Sequence, residues 1–424
     1  MTEHYDAIVI GGGVAGGTAA ILLAQAGWSV ALVEKRAFPR RKVCGECIAA
    51  PNLALLDALD VGAEFAQIAG PELRRVALYV GEDAVSADLP RQDGAVAGFA
   101  RALGRERLDT LLLERAARLG VAILQPCAVK DVEHRGARYV CRLAGEQREA
   151  ESIEAPVLIA AHGSWEPQPW HERAAKRTRP SDLVAFKANF SGTNLEPGLL
   201  PVLAFRGGYG GMVVADGGML TLACCLRRDA LREWRAAAPS LSAGDTVQAG
   251  LVVCCRGVRL ALAGARREGA WLSVGPLRPG IHAPWSERSG FAVGNAAGEA
   301  HPILGEGISM AMQSSWLLCR RLARERDALL GGASQAAVAR AYARDWRRHF
   351  TSRVRWAAVL AHLAMRPDHA RPLLPLLRAA PSVLTLAARL GGKVRALDTK
   401  SGRERTRPRS MLAATVQRLG DKEA

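Results

Sequence analysis

The sequence predicts an α/β protein with three parts: a Rossmann-like nucleotide-binding domain, an inserted antiparallel β-sheet domain and a helical C-terminal region. Three observations carry this. The chain opens on an apolar run, a glycine-rich turn and a helical stretch; short apolar runs separated by glycine turns fill its middle third; and helical spacing dominates after residue 305. At 424 residues and 49% apolar content the chain is long enough for two or three packed units.

The first element, YDAIVIGGGVAGGTAAILLAQAGWSVALVEK, reads as strand, turn, helix and strand, ending on Glu34. A second helix follows at residues 102–119, where Leu108, Leu111, Leu112, Leu113 and Ala116 recur at helical spacing. VAILQPCAVKDVEH, YVCRLAG and APVLIAAHG then read as strands returning to the first unit. LVAFKANFSG, LPVLAFRGG, GMVVADGG and GMLTLACCLRR form the separate antiparallel sheet. Helical periodicity resumes at residues 306–323 and continues through most of the remainder. The expected domains are 1–165 with 285–325 for nucleotide binding, 166–284 for substrate, 326–398 as a C-terminal helical region and 399–424 as a flexible tail. No internal repeat is evident.

The formal charge of +16 raises the question of nucleic acid. Arginine far outnumbers lysine, and no basic stripe is interleaved with aromatics, so the charge reads as a solvated surface and not as a nucleic-acid site. MTEHYDAIVIGGG lacks a basic n-region and a cleavage site, and no apolar run reaches the roughly 18 to 20 residues of a spanning helix. A cytoplasmic location is expected. The odd count of nine cysteines, with Cys224-Cys225 and Cys254-Cys255 in apolar stretches, fits a reduced compartment. Near the end, Leu373, Leu376, Leu377, Ala380, Leu384, Ala387 and Leu390 recur at near-helical spacing beside arginines. Two readings stay open for this segment: packing on its own domain, or peripheral contact with a membrane surface.

Gly11-x-Gly13-x-x-Gly16 follows a strand, opens a helix at Val14 and Ala15, and precedes the acidic strand end Glu34 with Lys35 beside it. The first glycine makes the turn, the second admits a pyrophosphate, and the third packs helix on sheet. Glu34 is placed to accept from ribose hydroxyls, with the helix N-terminus facing the phosphates. That pattern leaves NAD and FAD both open.

Three later segments favour FAD. GRERLD (104–109), VLIAAHGSW (158–165) and FAVGNAAGEAHPILGEGISMAMQSS (291–315), together with KVCGE, resemble motifs of the glutathione-reductase-type FAD superfamily. The branch they resemble holds group A flavoprotein monooxygenases and geranylgeranyl reductases. The resemblance spans residues 5–320. It implies FAD as cofactor, with Arg105 near the flavin, Gly163 in the second motif, and Asn295, Gly305, Glu306, Gly307 and Ile308 around the ribitol and ring; Val129, on a returning strand, joins this set. Asn295 and His162 stand where the family carries aspartates. NAD(P)H is therefore one candidate reductant among others.

KVCGEC (42–47) admits a metal clip, a redox dithiol of Cys44 and Cys47, or one working thiol. Without a second ligand pair a zinc site is unsupported, and the GGYGG run does not begin the second dinucleotide fold that dithiol flavoenzymes carry. By resemblance Cys44 is the thiol near the ring, in a catalytic role; a buried spacer is the alternative. Arg41 and Lys42 are placed to neutralise pyrophosphate, and Cys47 is a packing residue.

The middle sheet should roof a hydrophobic small-molecule substrate, with Tyr209 of GGYGG touching flavin or substrate, or else simply forming a hairpin. His282 and His301 are candidate proton donors or structural histidines. The reading favoured from sequence is an FAD-dependent monooxygenase acting on a phenolic, polyketide or quinone-type compound. The alternatives are a geranylgeranyl reductase-like prenyl double-bond reductase and a dithiol flavoprotein.

Overall fold

A computed structural model describes residues 2–91, 98–145, 152–163 and 178–385. Its central layer is a six-stranded sheet in the order Trp285–Ser286, Gly290–Ala292, Val157–Ala160, Ala7–Ile10, Val30–Val33 and Ala122–Leu124. All pairings are parallel except the edge hairpin Trp285–Ser286 with Gly290–Ala292. Ala7–Ile10, Val30–Val33 and Val157–Ala160 are buried at every position, as strands covered on both faces must be. Helix α1 (Val14–Gln25) lies on this sheet, packed between α2 (Arg105–Arg118) and α3 (Glu306–Arg324).

Of the strands expected to return to the first unit, only Ala122–Leu124 and Val157–Ala160 join this sheet. Ala128–Arg135, Arg138–Ala144 and Ser152–Ala155 pair with Thr2–His4 in a separate four-stranded sheet. Their alternating burial gives them one wet face, which the central sheet has no place for.

The roof is a seven-stranded sheet in the order Arg266–Leu277, Leu183–Ser191, Leu220–Arg227, Gly208–Val214, Leu199–Phe205, Arg75–Val80 and Asp83–Asp88. Its last two strands come from within the segment assigned by sequence to the nucleotide-binding domain; Arg75–Val80 pairs in parallel with Leu199–Phe205. Local patterning has no means of registering a partner more than a hundred residues away. The middle third also holds helices Arg228–Ala237, Ala243–Cys254 and Arg256–Ala261, which sequence reading did not separate from the sheet. They cover one roof face, burying Phe186, Phe190, Phe205, Val247, Leu251 and Val258 together. The opposite face presents Ala185, Tyr209 and Cys225.

The long helix α4 (Ala336–Ala364) braces both halves: Tyr342 and Trp346 sit in the first core, and Ala361 and Ala364 pack with Tyr209. The basic apolar segment after it is described only in part. Leu374 is buried and Leu376 exposed, while residues 386–424, including the expected tail, lie outside the described residues.

Glu46 joins the halves. Its carboxylate, 2% exposed, pairs with Lys187 of the roof, accepts from Thr221 Oγ1 at 2.6 Å, and accepts the Arg105 backbone N–H at 3.0 Å. Its backbone adopts φ 59°, a left-handed conformation that costs a non-glycine residue about 1–3 kcal/mol and that the buried contacts hold in place. Glu46→Ala should destabilise the protein by about 3–5 kcal/mol, because Lys187 is left as an unpaired buried charge. Adding Lys187→Met should recover much of the loss; denaturant midpoints of the three proteins check this.

Candidate functional site

The glycine turn is set by close approach. A Cβ on Gly11, whose φ is +110°, would lie 2.6 Å from Ala161 O, and one on Gly16 would lie 1.8 Å from Gly11 O. Neither residue lines the cavity beyond; they seat α1 against the sheet. Gly13 differs. A Cβ there would meet only Arg105 Nη2 at 3.4 Å and Lys42 Nζ at 3.8 Å, so two cationic side chains stand over the helix start. No side chain caps α1, which leaves its first backbone N–H groups, at Val14 and Ala15, directed to the same place.

Arg105 is held by a buried bidentate pair with Asp109, at 2.8 and 2.7 Å. Burial opposes its charge, but the Asp109 carboxylate and the Cys44 thiol outweigh burial and raise its pKa further. Lys42 makes no salt bridge among the described residues; burial followed by the Arg105 charge lowers its pKa to about 8, with Asp109 and Glu34 opposing only in part. A helix N-terminus, a clamped arginine and a lysine held in no salt bridge fit a pyrophosphate.

Glu34, 4% exposed, accepts from the N–H of Gly12 at 2.8 Å and of Arg36 at 3.0 Å, so any ribose contact shares its carboxylate with the backbone. Lys35 lines the cavity at this end. Arg41 lines it too, and its guanidinium donates through Nη2 to Asn189 Oδ1 on the roof at 2.6 Å, a tether across to the other layer. Val129 is buried in the small sheet and does not reach the cavity.

From Gly13 the cavity, about 750 Å³, runs past Lys42, Cys44, Gly163 and Asn295 to Gly305, Glu306, Gly307 and Ile308 at the start of α3. This helix also lacks a side-chain cap, and a Cβ on Gly307 would meet nothing within 4 Å. Two uncapped helix ends therefore face one elongated space. Glu306 turns its carboxylate onto Arg353 of α4, and Arg353 also donates to Gln313 Oε1 at 2.8 Å. Gln313 continues to Asn52 at 2.9 Å, and Asn52 to Ser309 at 2.7 Å. Sequence reading missed Glu46, Lys187 and Arg353 as site-shaping groups, since only the fold brings their partners together.

Over the ring end of the cavity lie Val76, Ala185, Leu200, Val202, Met212 and Leu272, an apolar roof with Tyr209 among them. Tyr209 Oη is 3.1 Å from His301 Nδ1, and burial, then the nearby His362, pushes His301 down to about 4, so this histidine is neutral at ordinary pH. His282 does not line the cavity. Cys44 Sγ accepts the Glu46 N–H at 3.3 Å and sits beside Arg105. Cys47, whose Cβ packs near Gly305, is pushed up to about 12 by burial and by Cys44; both thiols are unbonded.

Residues 4–170 match the family described as FAD binding domain. The 1H-pyrrole-2-carbonyl-[peptidyl-carrier protein] chlorinase of Pseudomonas fluorescens is 30% identical over 181 residues, 38% of this chain and 40% of that protein. The chain thus spans less than half the length of that relative. A menaquinone reductase of Mycolicibacterium smegmatis is 24% identical over 410 residues, 93% of each protein. The solved structure of the myxobacterial chondrochloren halogenase CndH shares the fold, with TM-score 0.69 and 24% identity over 82% of this chain and 80% of that one.

Two outcomes test the phosphate end. Gly13→Val should abolish FAD retention, read as flavin absorbance of the purified protein. FAD affinity, followed by flavin fluorescence, should be constant below pH 8 and fall by up to about tenfold per pH unit above it, as neutral Lys42 must take up a proton to meet the phosphates. In Lys42→Met that pH dependence should vanish. The family match over residues 4–170 and the cationic helix start beside Gly13 together assign FAD as the cofactor of this chain.

Proposed function

We infer that the protein is an FAD-dependent oxidoreductase that transforms a hydrophobic, phenolic or quinone-type ring, with oxygen-dependent hydroxylation as the first reading. The observation that carries it is the continuity of one cavity from the cations over Gly13 to an apolar roof above the start of α3. Bound FAD supplies the electron-transfer and oxygen chemistry. Arg105 and Lys42 would hold its pyrophosphate, and the uncapped start of α3 would face the ring. A helix N-terminus of this kind stabilises nearby negative charge by about 0.3–2 kcal/mol.

The roof side chains exclude water and select an apolar substrate. Tyr209, nine-tenths or more buried, holds a hydroxyl proton on the cavity wall, and His301 orients it. Burial and the neighbouring Cys44 push the Cys47 thiol up to about 12, which disfavours it as the attacking thiolate of a dithiol pair. This supports Cys44 as the single thiol facing the ring.

A second reading, reduction of a double bond in a prenylated ring compound, is favoured by the similarity to a menaquinone reductase along nearly the whole chain. Oxygen separates the two. Under the first reading, turnover of a phenol or quinol should require oxygen and place one atom from labelled dioxygen in the product. Turnover without oxygen by the dithionite-reduced protein, with two hydrogens added, would move the assignment to the second. Under either, Cys44→Ala should keep FAD and shift its reduction potential or the turnover rate, while Cys47→Ser should leave both near the parent values.

A further inference from the structure

The outward face of α4 is unlike the rest of the surface. Of the nine exposed large hydrophobic side chains among the described residues, five lie between residues 356 and 383: Trp356, Val359, Leu363, Leu376 and Val383. At about 100° per residue, Trp356, Val359 and Leu363 fall within about 60° of one another, in a single row. They are 52%, 48% and 40% exposed. Isolated surface hydrophobics need no explanation, but a row of three with an aromatic at one end does.

Beside that row run Arg348 and Arg355 on the helix and Arg366 just after it, all exposed and without acidic partners among the described residues. Asp345 is the one acid in the 29-residue helix, and Arg321 neutralises it. Opposite that row, α4 buries Ala357, Ala361 and Ala364, the last two against the cluster that holds Tyr209. One helix thickness, about 10 Å, therefore separates the exposed row from a residue of the cavity wall. No described helix is long and apolar enough to cross a membrane.

We propose that this face of α4 docks the protein on an anionic lipid bilayer. Trp356, Val359 and Leu363 enter the headgroup boundary while Arg348, Arg355 and Arg366 meet lipid phosphates. Charge complementarity selects this occupant: a face bearing unpaired arginines and no free carboxylate suits a phosphate-rich surface, and would repel a second copy of a chain whose formal charge is +16. The assignment holds whichever reaction the flavin performs. It would also bring the roof within reach of ring compounds dissolved in lipid.

The test uses the full-length FAD-loaded protein and sedimentation with vesicles of phosphatidylcholine, with and without phosphatidylglycerol. Binding is expected only to the anionic vesicles and should weaken as salt rises. Trp356→Ser with Leu363→Ser should lower vesicle affinity at least about tenfold, and Arg348→Glu with Arg355→Glu should abolish the preference for anionic lipid. FAD content and melting temperature should stay at parent values, because these side chains are exposed. Chain ending at Thr385 should bind as the full chain does. Unchanged binding in both double variants overturns the proposal, as does binding that disappears with residues 386–424. Dimerisation without lipid that the Trp356/Leu363 variant abolishes would overturn it too, by assigning the face to a second copy.

Discussion

The buried Glu46 carboxylate is the constraint on which the site depends. It lies two residues beyond Cys44, in a loop that has no regular structure of its own, and it accepts from groups on two roof strands and from the first N–H of α2. Taking an acid and a lysine out of water costs several kcal/mol per ion, recovered only where geometry and further hydrogen bonds are good. Here Thr221 and the Arg105 N–H supply those bonds. The result is a fixed loop: Cys44 cannot drift from Arg105, and Arg105 cannot drift from Gly13, without exposing or orphaning the Glu46–Lys187 pair.

Asp216 repeats the principle at the same end of α2. It accepts from the Gly104 N–H at 2.7 Å and from Arg107 at 3.2 Å, so the roof turn is tied to the start of the helix that carries Arg105. The third tie is Arg353, which links α4 through Glu306 and Gln313 to α3 and on to Asn52. Each tie starts on an element of the cofactor domain and ends on a different layer. The cavity between layers is therefore held open by polar contacts at its edges, while its walls stay apolar enough to receive a hydrophobic ring.

Charge in this site is distributed with a gradient. The pyrophosphate end has two cations and an uncapped helix, whereas the roof end has a neutral histidine, a buried tyrosine and aliphatic side chains. The cationic end fits a pyrophosphate, in agreement with the FAD-binding family match over residues 4–170, and the apolar end leaves room for a ring. Arg41 shows how tertiary contacts divide such a basic run: of the neighbours Arg41 and Lys42, one ties the loop to Asn189 and the other keeps its charge for the cavity.

What the sequence determined by itself is whatever depends on near neighbours. The strand, glycine turn and helix at residues 7–25, the roof strands from Leu183 to Arg227, and α3 opening at Gly305 all follow from periodicity and from glycines that no side chain could replace. Cys44, Lys42, Arg105, Asn295 and Tyr209 were legible because they sit in or beside such motifs, and the fold gathers them on one cavity. Pairings across distance were not legible. Arg75–Val80 looks like any half-buried strand until Leu199–Phe205 gives it a neighbour, and Glu46 in KVCGEC looks like a surface acid until Lys187 arrives. Val129, placed in the cofactor set by resemblance, is buried in the small sheet, and Arg41 lines the cavity while also holding Asn189 of the roof. The physical reason is the same in each case: backbone preference and hydrophobic period act over a few residues, whereas the desolvation of a charge is settled by whichever side chain the completed fold places against it.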